Sequence, residues 1–115
     1  MVTSGYVPDA GDLIWLDFDP QAGREQAGRR PAVVLSPASY NQRTSLAIVC
    51  PVTSHVKGYP FEVPLPQGLP ISGVVLADHL KSLDWKQRRA SKAGKVPKAT
   101  LQDIRGRVGP LLGFE

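Results

Sequence analysis

The sequence predicts a mainly β fold, a small and strongly curved antiparallel barrel with one C-terminal α-helix. Several short segments have the alternating polarity of strands, whereas helical periodicity is confined to the end of the chain. Glycine and proline contribute 11 residues each to a chain of 115, which favours many short elements joined by turns over a helical bundle. A chain of this length supports one domain, so we expect residues 1–115 to form a single domain.

The clearest strand pattern covers residues 12–19. Ile14, Leu16 and Phe18 alternate with Leu13, Trp15 and Asp17, and Pro20 ends the segment because it has no N–H for a central ladder. The same reasoning predicts further strands at residues 32–35, 46–52, 61–65, where Pro64 indicates an edge strand, and 73–77, with continuation towards Trp85.

The C-terminal segment has the spacing of an amphipathic helix. Pro97 suits a first helical turn, and Pro110 should end or kink the helix. One helix face is predicted from Leu101, Ile104, Val108, Leu111 and Leu112. Among the connections, residues 20–30 are predicted to form a long loop, 37–44 a turn or single helical turn, and 86–95 a polar, basic loop.

Several function classes are excluded by composition. One cysteine and two histidines rule out a disulfide framework and a cysteine-rich zinc site, and no cofactor or metal is expected. No apolar run approaches the roughly 18 residues that a membrane helix needs. The first residues lack the basic and apolar parts of a secretory signal, so a cytoplasmic protein that does not enter a membrane is expected.

Positive charge is concentrated in the last third of the chain. The net charge is +4, and residues 81–115 carry nine Lys or Arg against three Asp or Glu. A polyanionic partner is one interpretation, and a solvated basic surface is the other.

Two clusters carry side chains suited to phosphoryl transfer. Glu25, Arg29 and Arg30 stand close together in the loop 20–30, where a carboxylate could act as base and a guanidinium could bind phosphate. The segment from Thr53 to Lys57 adds hydroxyls, an imidazole and an ammonium group at the end of a strand. Taken alone, each cluster is also what an ion-paired loop or a hydroxyl-rich turn would carry, and the local sequence favours that interpretation.

The ordered set of segments resembles the MazF/PemK family of toxin endoribonucleases. The matching segments are GDLIWLDFDP (11–20), GREQAGRRPAVVLSP (23–37), VCPVTS (49–54), KGYPFEV (57–63) and GVVLADHLKSLDW (73–85). The resemblance implies an SH3-like, partly open barrel of the MazF/CcdB toxin type. It also implies a homodimeric cytoplasmic mRNA interferase from a type II toxin–antitoxin system.

The implied activity is sequence-specific, ribosome-independent and metal-independent cleavage of single-stranded RNA. The 2′-hydroxyl attacks phosphorus and leaves a 2′,3′-cyclic phosphate and a 5′-hydroxyl. The implied inhibitor is a MazE-like antitoxin whose acidic C-terminal tail occupies the RNA groove.

Transferred by motif, the resemblance implies Glu25, Arg30 and Thr53 as catalytic residues. Arg24 and Arg29 stand where some members carry a histidine, which places more weight on Glu25 as the base, with Asp78 as a second candidate. Leu76 replaces an arginine that accompanies that aspartate in another branch of the family. The implied RNA contacts are Asp17, Phe18, Gln26, Arg29, Ser54, Lys57 and Asp78.

Two other functions remain open at this point. A CcdB-like, non-enzymatic toxin that binds DNA gyrase would share the barrel without needing Glu25, Arg30 and Thr53. A basic RNA-binding module would bind RNA and return it intact.

Overall fold

The fold is an open antiparallel sheet of seven strands, described here by a computed structural model for residues 5–18 and 28–114. Its strands are β1 (Asp12–Asp17), β2 (Arg29–Val34), β3 (Leu46–Thr53), β4 (Glu62–Pro64), β5 (Val74–Leu76), β6 (Lys81–Asp84) and β7 (Ser91–Lys95). The helices are α1 (Ala38–Thr44), α2 (Lys98–Leu111) and a short 3-10 helix (Ala77–His79).

The longest strand, β3, organises the sheet. The strand order is β4-β5-β3-β2-β1-β7, and β6 pairs separately with the first half of β3. All of these pairings are antiparallel. The predicted mainly β, partly open barrel with a C-terminal helix is therefore confirmed, and Pro64 lies in the edge strand β4, as its missing N–H requires.

Both faces of the sheet are covered by buried apolar side chains. The helix-side core packs under α2 and includes Leu13, Val33, Cys50, Val75, Ile104 and Val108. The tryptophan-side core covers the opposite face and includes Ile14, Leu16, Ala32, Val49 and Trp85. Each fully buried aliphatic side chain contributes about 1.5–3 kcal/mol, so polar groups are placed mainly at the rims, where the strands end.

The predicted alternation along β1 is confirmed. Ile14 and Leu16 belong to the tryptophan-side core and Phe18 packs against it, whereas Leu13 belongs to the helix-side core. Successive side chains of a strand point to opposite faces of the sheet. The apolar alternation of β1 therefore assigns its residues in turn to the two cores.

The predicted loop 20–30 extends too far, because Arg29 and Arg30 belong to β2. They pair with Asp17 and Leu16 across the β1–β2 ladder. The predicted basic loop 86–95 is also wrong in its second half, where residues 91–95 form β7 against β1. Its sequence, SKAGK, has little β propensity, so pairing with a completed β1 and apolar contacts by Ala93 account for this strand.

Residues 38–44 form the helix α1, which extends the predicted turn or single helical turn to about two turns. Asp9, from a distant segment, accepts a hydrogen bond from the first helical N–H, that of Ala38, at 2.9 Å. Asn41 is fully buried and donates to the carbonyl oxygens of Pro8 and Ser36 at 2.8 and 3.0 Å. These tertiary hydrogen bonds stabilise a helix that its seven residues would not form alone.

The predictions for residues 73–85 and for the C-terminal helix are confirmed only in part. The strand expected from 73 towards Trp85 is interrupted by the 3-10 helix and resumes as β6, which pairs with β3 instead of β4. Helix α2 ends one residue after Pro110 and buries Ile104 and Val108. Leu111 and Leu112 are 45% and 57% exposed, so the predicted apolar face is buried only along the part that lies over the sheet.

Candidate active site

Two predicted site residues, Glu25 and Gln26, lie outside the described residues. The other predicted site residues fall into three groups. Some line a first cavity, some line a second cavity beside it, and two, Asp17 and Phe18, line neither of these cavities. Thr53 belongs to both cavities.

The neighbouring strands β2 and β3 bring Arg30 and Thr53 together. Ala32 pairs with Pro51 in their antiparallel ladder, and continuing that register by two residues places Arg30 opposite Thr53. Partners across an antiparallel ladder share a face of the sheet. Both side chains line the first cavity, of about 520 Å³, together with Trp15, Arg29, Pro31, Val52, Ser54 and residues 70–72.

The hydroxyl of Thr53 is oriented by the chain that follows it. The backbone N–H of His55 donates to Thr53 Oγ1 at 3.1 Å. This hydrogen bond uses one lone pair of the oxygen, and the hydroxyl keeps one proton that it can donate to a ligand in the cavity. This arrangement suits an anionic oxygen, such as that of a phosphate group.

The two adjacent arginines have different roles. The guanidinium of Arg29 donates to the Asp17 carboxylate at 3.2 Å and also to Trp15 O, Arg89 O and Ser91 Oγ. Among residues 5–18 and 28–114, no group is hydrogen-bonded to the side chain of Arg30, which is exposed. Arg30 can therefore offer its planar donors to a phosphate, while Arg29 is engaged within the protein.

Asp17 lies at the centre of an ion cluster that joins three segments, and we call Asp17, Arg29, Arg88 and Arg89 the Asp17 cluster. The Arg89 guanidinium donates to the Asp17 carboxylate at 3.1 Å. This hydrogen bond, with the charges of Arg89 and Arg29, holds the pKa of Asp17 below its usual value. Arg88 donates to the carbonyl oxygens of Asp17 and Phe18, so the cluster anchors the end of β1.

The second cavity, of about 180 Å³, places Lys57 and Asp78 beside Thr53. Lys57 extends over the ring of Tyr59, with its ammonium nitrogen 5.9 Å from the ring centre. The Asp78 carboxylate lies 3.8 Å from the His79 imidazole. The remaining walls are His55, Glu62, Leu76 and His79.

The segment 54–61 that forms part of this second cavity is attached through Glu62. The Glu62 carboxylate is buried and accepts hydrogen bonds from the backbone N–H groups of Lys57 and Gly58 at 2.9–3.2 Å. Glu62 thus sets the course of the backbone on which Lys57 lies.

Asp17 and Phe18 line neither cavity in the described part of the chain. Asp17 is engaged in its cluster, and Phe18 packs against the tryptophan-side core with the Lys81 ammonium nitrogen 5.5 Å from its ring centre. Their assignment as RNA contacts stays a prediction.

Sequence reasoning did not assign several residues that form the walls. Pro70, Ile71 and Ser72 belong to a connection without periodicity, so nothing local indicates that they face Thr53. Glu62 did carry a signal, because it is a lone acidic residue within the apolar run FEVPL.

Much of the basic charge in the last third of the chain is used internally. Arg88 and Arg89 bind the end of β1, and Lys92 and Lys95 lie 3.7 and 3.2 Å from the buried carboxylate of Asp12. The charge bias of residues 81–115 therefore serves the fold as well as the surface.

Within residues 5–18 and 28–114, no group of three or more His, Cys, Asp or Glu side chains is placed to hold a metal ion. No described helix has the length and apolar character needed to cross a membrane.

Comparison with known proteins identifies the family. Residues 9–112 match the PemK-like, MazF-like toxin family of type II toxin–antitoxin systems. The chain is 53% identical over 112 residues to the endoribonuclease toxin MazF of Escherichia coli K12, covering 97% of this chain and all of that protein. It is 36% identical over 108 residues to the Escherichia coli endoribonuclease PemK, covering 90% and 81% of the two chains.

Solved structures agree with the sequence comparison. A MazE–MazF crystal structure from Deinococcus radiodurans superposes with a TM-score of 0.89 at 60% identity, over 96% of this chain and all of that one. A crystal structure of MazF from the same organism superposes with a TM-score of 0.87 at 62% identity over the same shares. The chain therefore belongs to the PemK-like, MazF-like toxin family of type II toxin–antitoxin systems.

Proposed function

We propose that this protein is a sequence-specific, metal-independent and ribosome-independent endoribonuclease that cleaves single-stranded mRNA in the cytoplasm. The observation that carries the proposal is the cavity shared by Arg30 and Thr53. Within residues 5–18 and 28–114 the Arg30 guanidinium has no hydrogen-bond partner, and the Thr53 hydroxyl oxygen is oriented by the N–H of His55. The endoribonuclease activity of the curated relatives supports it.

The reaction requires one proton to leave and one to arrive. A base removes the proton of the 2′-hydroxyl, O2′ forms a bond to phosphorus, and the bond from phosphorus to O5′ breaks. O5′ takes up a proton from solvent water, so the products are a 2′,3′-cyclic phosphate and a 5′-hydroxyl. Arg30 and Thr53 stabilise the charge that develops on the non-bridging oxygens, an effect that commonly outweighs the others in such sites.

Glu25 is the proposed base, and Asp78 is the second candidate. Asp78 lines the cavity next to that of Arg30 and shares Thr53 with it. Comparison of Glu25→Gln with Asp78→Asn separates the two, because only loss of the base removes the fall of kcat towards acidic pH that protonation of the base causes.

The second cavity supports sequence specificity. It is smaller and more enclosed than the first, and it combines the ring of Tyr59 with the carboxylate of Asp78 and the ammonium of Lys57. A single unstacked base could stack there and donate an amino hydrogen to the carboxylate, which is how proteins read single-stranded RNA.

We further propose a homodimer inhibited by a MazE-like antitoxin whose acidic C-terminal tail occupies the RNA groove. The Deinococcus structures solved as MazE–MazF complexes support the antitoxin. Leu111, Leu112 and Phe114, exposed in the single chain, support a covered C-terminal face.

The proposed function is tested by incubating the purified protein with mixed-sequence RNA in excess EDTA and sequencing the fragment ends. We expect cuts at one short sequence, with 2′,3′-cyclic phosphate ends, and a rate about 100- to 1000-fold lower in Arg30→Ala. The control is Arg43→Ala on the exposed surface of α1, which should cleave normally.

Three outcomes would contradict the proposal. Intact RNA would favour a binding module, and intact RNA together with gyrase binding would favour a CcdB-like toxin. Cleavage that appears only after magnesium is added would reject the mechanism.

A further inference from the structure

The backbone at Gly73 approaches Thr53 more closely than any side chain would allow. A Cβ atom added at Gly73 would lie 2.3 Å from Thr53 O, 2.9 Å from Thr53 C and 3.3 Å from Ser54 Cα. All three are backbone atoms, so no flexible side chain could move aside. Gly73 also has φ +129°, which L side chains rarely adopt.

On the side away from Thr53, the backbone of Gly73 is hydrogen-bonded to the chain that follows β4. Its carbonyl oxygen accepts a hydrogen bond from Leu65 N at 3.0 Å, and the next residue, Val74, pairs with Thr53 in the β3–β5 ladder. The Gly73 backbone is therefore enclosed between an extension of β4 and the end of β3. Displacing it from Thr53 would break contacts on both sides.

This close approach acts on the residue whose hydroxyl faces the proposed scissile phosphate. The N–H of His55 donates a hydrogen bond to Thr53 Oγ1, and the backbone of Gly73 lies directly against the Thr53 carbonyl. The three residues before Gly73, 70–72, form the facing wall of the same cavity. The close approach of Gly73 to Thr53 thus affects both the orientation of the Thr53 side chain and the separation between Thr53 and residues 70–72 across the cavity.

We infer that Gly73 is a positioning residue for catalysis, which holds the backbone of Thr53 so that the Thr53 hydroxyl meets the reacting phosphate. The inference rests on the proposed function of Thr53. Misplacement of a catalytic group by about 1 Å can lower a rate by about 100-fold. A Cβ at this position demands a shift of that order, because contacts below 3.0 Å essentially never occur for Cβ atoms.

The experiment compares Gly73→Ala with Gly68→Ala in the full chain. Gly68 lies in the same connection between β4 and β5 and also has a positive φ, +94°, which would strain any L side chain. An added Cβ at Gly68 would meet nothing within 4 Å. We expect kcat for a short RNA substrate to fall about 10- to 100-fold in Gly73→Ala with little change in KM. Gly68→Ala should keep the kcat of the unaltered protein, although its melting temperature is lower.

A double-mutant cycle with Thr53→Val tests whether Gly73 acts through Thr53. If it does, Gly73→Ala should lower kcat by less than about threefold in a chain that already carries Thr53→Val, since coupled residues are not additive. An equal loss in both backgrounds would overturn the inference. So would equal kcat values for Gly73→Ala and Gly68→Ala.

Ser72→Gly provides a second route should Gly73→Ala not fold. It adds no atom and loosens the chain next to Gly73, so we expect kcat to fall about two- to fivefold, and this loss should vanish in the Thr53→Val background. A loss that persists there would indicate a direct role of the Ser72 hydroxyl and overturn positioning through Thr53. Absence of any cleavage by the unaltered protein would instead reject the proposed function itself.

Discussion

Two side chains that line the candidate site, Thr53 and Glu62, are oriented by backbone N–H groups. Thr53 accepts a hydrogen bond from His55, and Glu62 accepts hydrogen bonds from Lys57 and Gly58. A backbone donor loses no side-chain entropy when it is ordered, so such hydrogen bonds orient a group more rigidly than an ion pair between two long side chains. The site can thus stay ordered before substrate arrives.

Glu62→Gln tests this view at a single residue. The amide has the shape of the carboxylate but lacks its charge, and one oxygen becomes a donor facing backbone N–H groups. We expect the free energy of unfolding to fall by about 1.5–3 kcal/mol, measured by urea denaturation. Asp103→Asn on α2, which removes an exposed i,i+4 ion pair with Arg107, should cost about 0.5 kcal/mol or less.

The same variants can be compared in RNA cleavage. Since Glu62 sets the course of the backbone that carries Lys57, KM should rise in Glu62→Gln and remain unchanged in Asp103→Asn. Equal unfolding curves for the two variants would show that the backbone hydrogen bonds of Glu62 contribute little.

Among the secondary-structure elements, β1 has the most connections at its end. It pairs with β2 and β7, and the Asp17 cluster adds hydrogen bonds from the turn after β6. These contacts anchor the residues on both sides of the segment 19–27, in which Glu25 lies. The arginines at 88 and 89 are best understood as parts of this anchor.

The Asp17 cluster predicts a specific response to acid. The folded-state pKa of Asp17 is lowered by its bond to Arg89 and by neighbouring positive charge, so the folded chain binds this proton less readily than the unfolded chain. The carboxylate therefore stabilises the fold at neutral pH. That contribution is lost as the pH falls from about 4, the unfolded-state value, through the lower folded-state value.

Asp17→Asn should accordingly be less stable than the unaltered protein at pH 7, and the difference should shrink below pH 4. Melting temperatures between pH 2.5 and 7 measure this, with Asp103→Asn as the control carboxylate. Parallel curves for Asp17→Asn and the unaltered protein would contradict the role given to the cluster.

In the whole molecule, one sheet is shared by two cores. The helix-side and tryptophan-side cores bury opposite faces of β1, β2 and β3, so polar side chains can leave these strands only near their ends. The first cavity lies beside the start of β2 and the end of β3, and the second lies beside the end of β3 and the end of β5. The site is a consequence of how this sheet is covered.

The two ends of α2 give a test of this architecture. Ile104 is fully buried, whereas Leu112 just after the helix is 57% exposed. In denaturation experiments Ile104→Ala should cost about 2–5 kcal/mol at any protein concentration. Leu112→Ala should cost about 0.5 kcal/mol or less in the single chain, and this cost should grow with protein concentration because the proposed homodimer covers this end. A small loss that does not depend on concentration would count against a second copy at this end.

Patterns that depend on neighbours in sequence were predictable. Each predictable pattern comes from one element that packs against one core. Examples are the alternation of Ile14, Leu16 and Phe18 at the tryptophan-side core and the spacing of Ile104 and Val108 at the helix-side core. The strand β7 was missed, and helix α1 was predicted only as a turn or a single helical turn, because their own residues favour these structures weakly. They form by pairing with β1 and by the hydrogen bonds of Asp9 and Asn41.

The sequence by itself determined the fold class and the family, since motif and periodicity are local properties of a chain, and through the family resemblance it predicted Arg30 and Thr53 as a catalytic pair. Only the tertiary structure decided that Arg29 is hydrogen-bonded to Asp17 and Arg89, whereas Arg30 has no side-chain hydrogen bond among residues 5–18 and 28–114. The tertiary structure alone revealed that the backbone of Gly73 lies too close to Thr53 to leave room for a Cβ atom. The physical reason is that hydrogen bonding and close approach depend on strand register, which joins residues far apart in sequence.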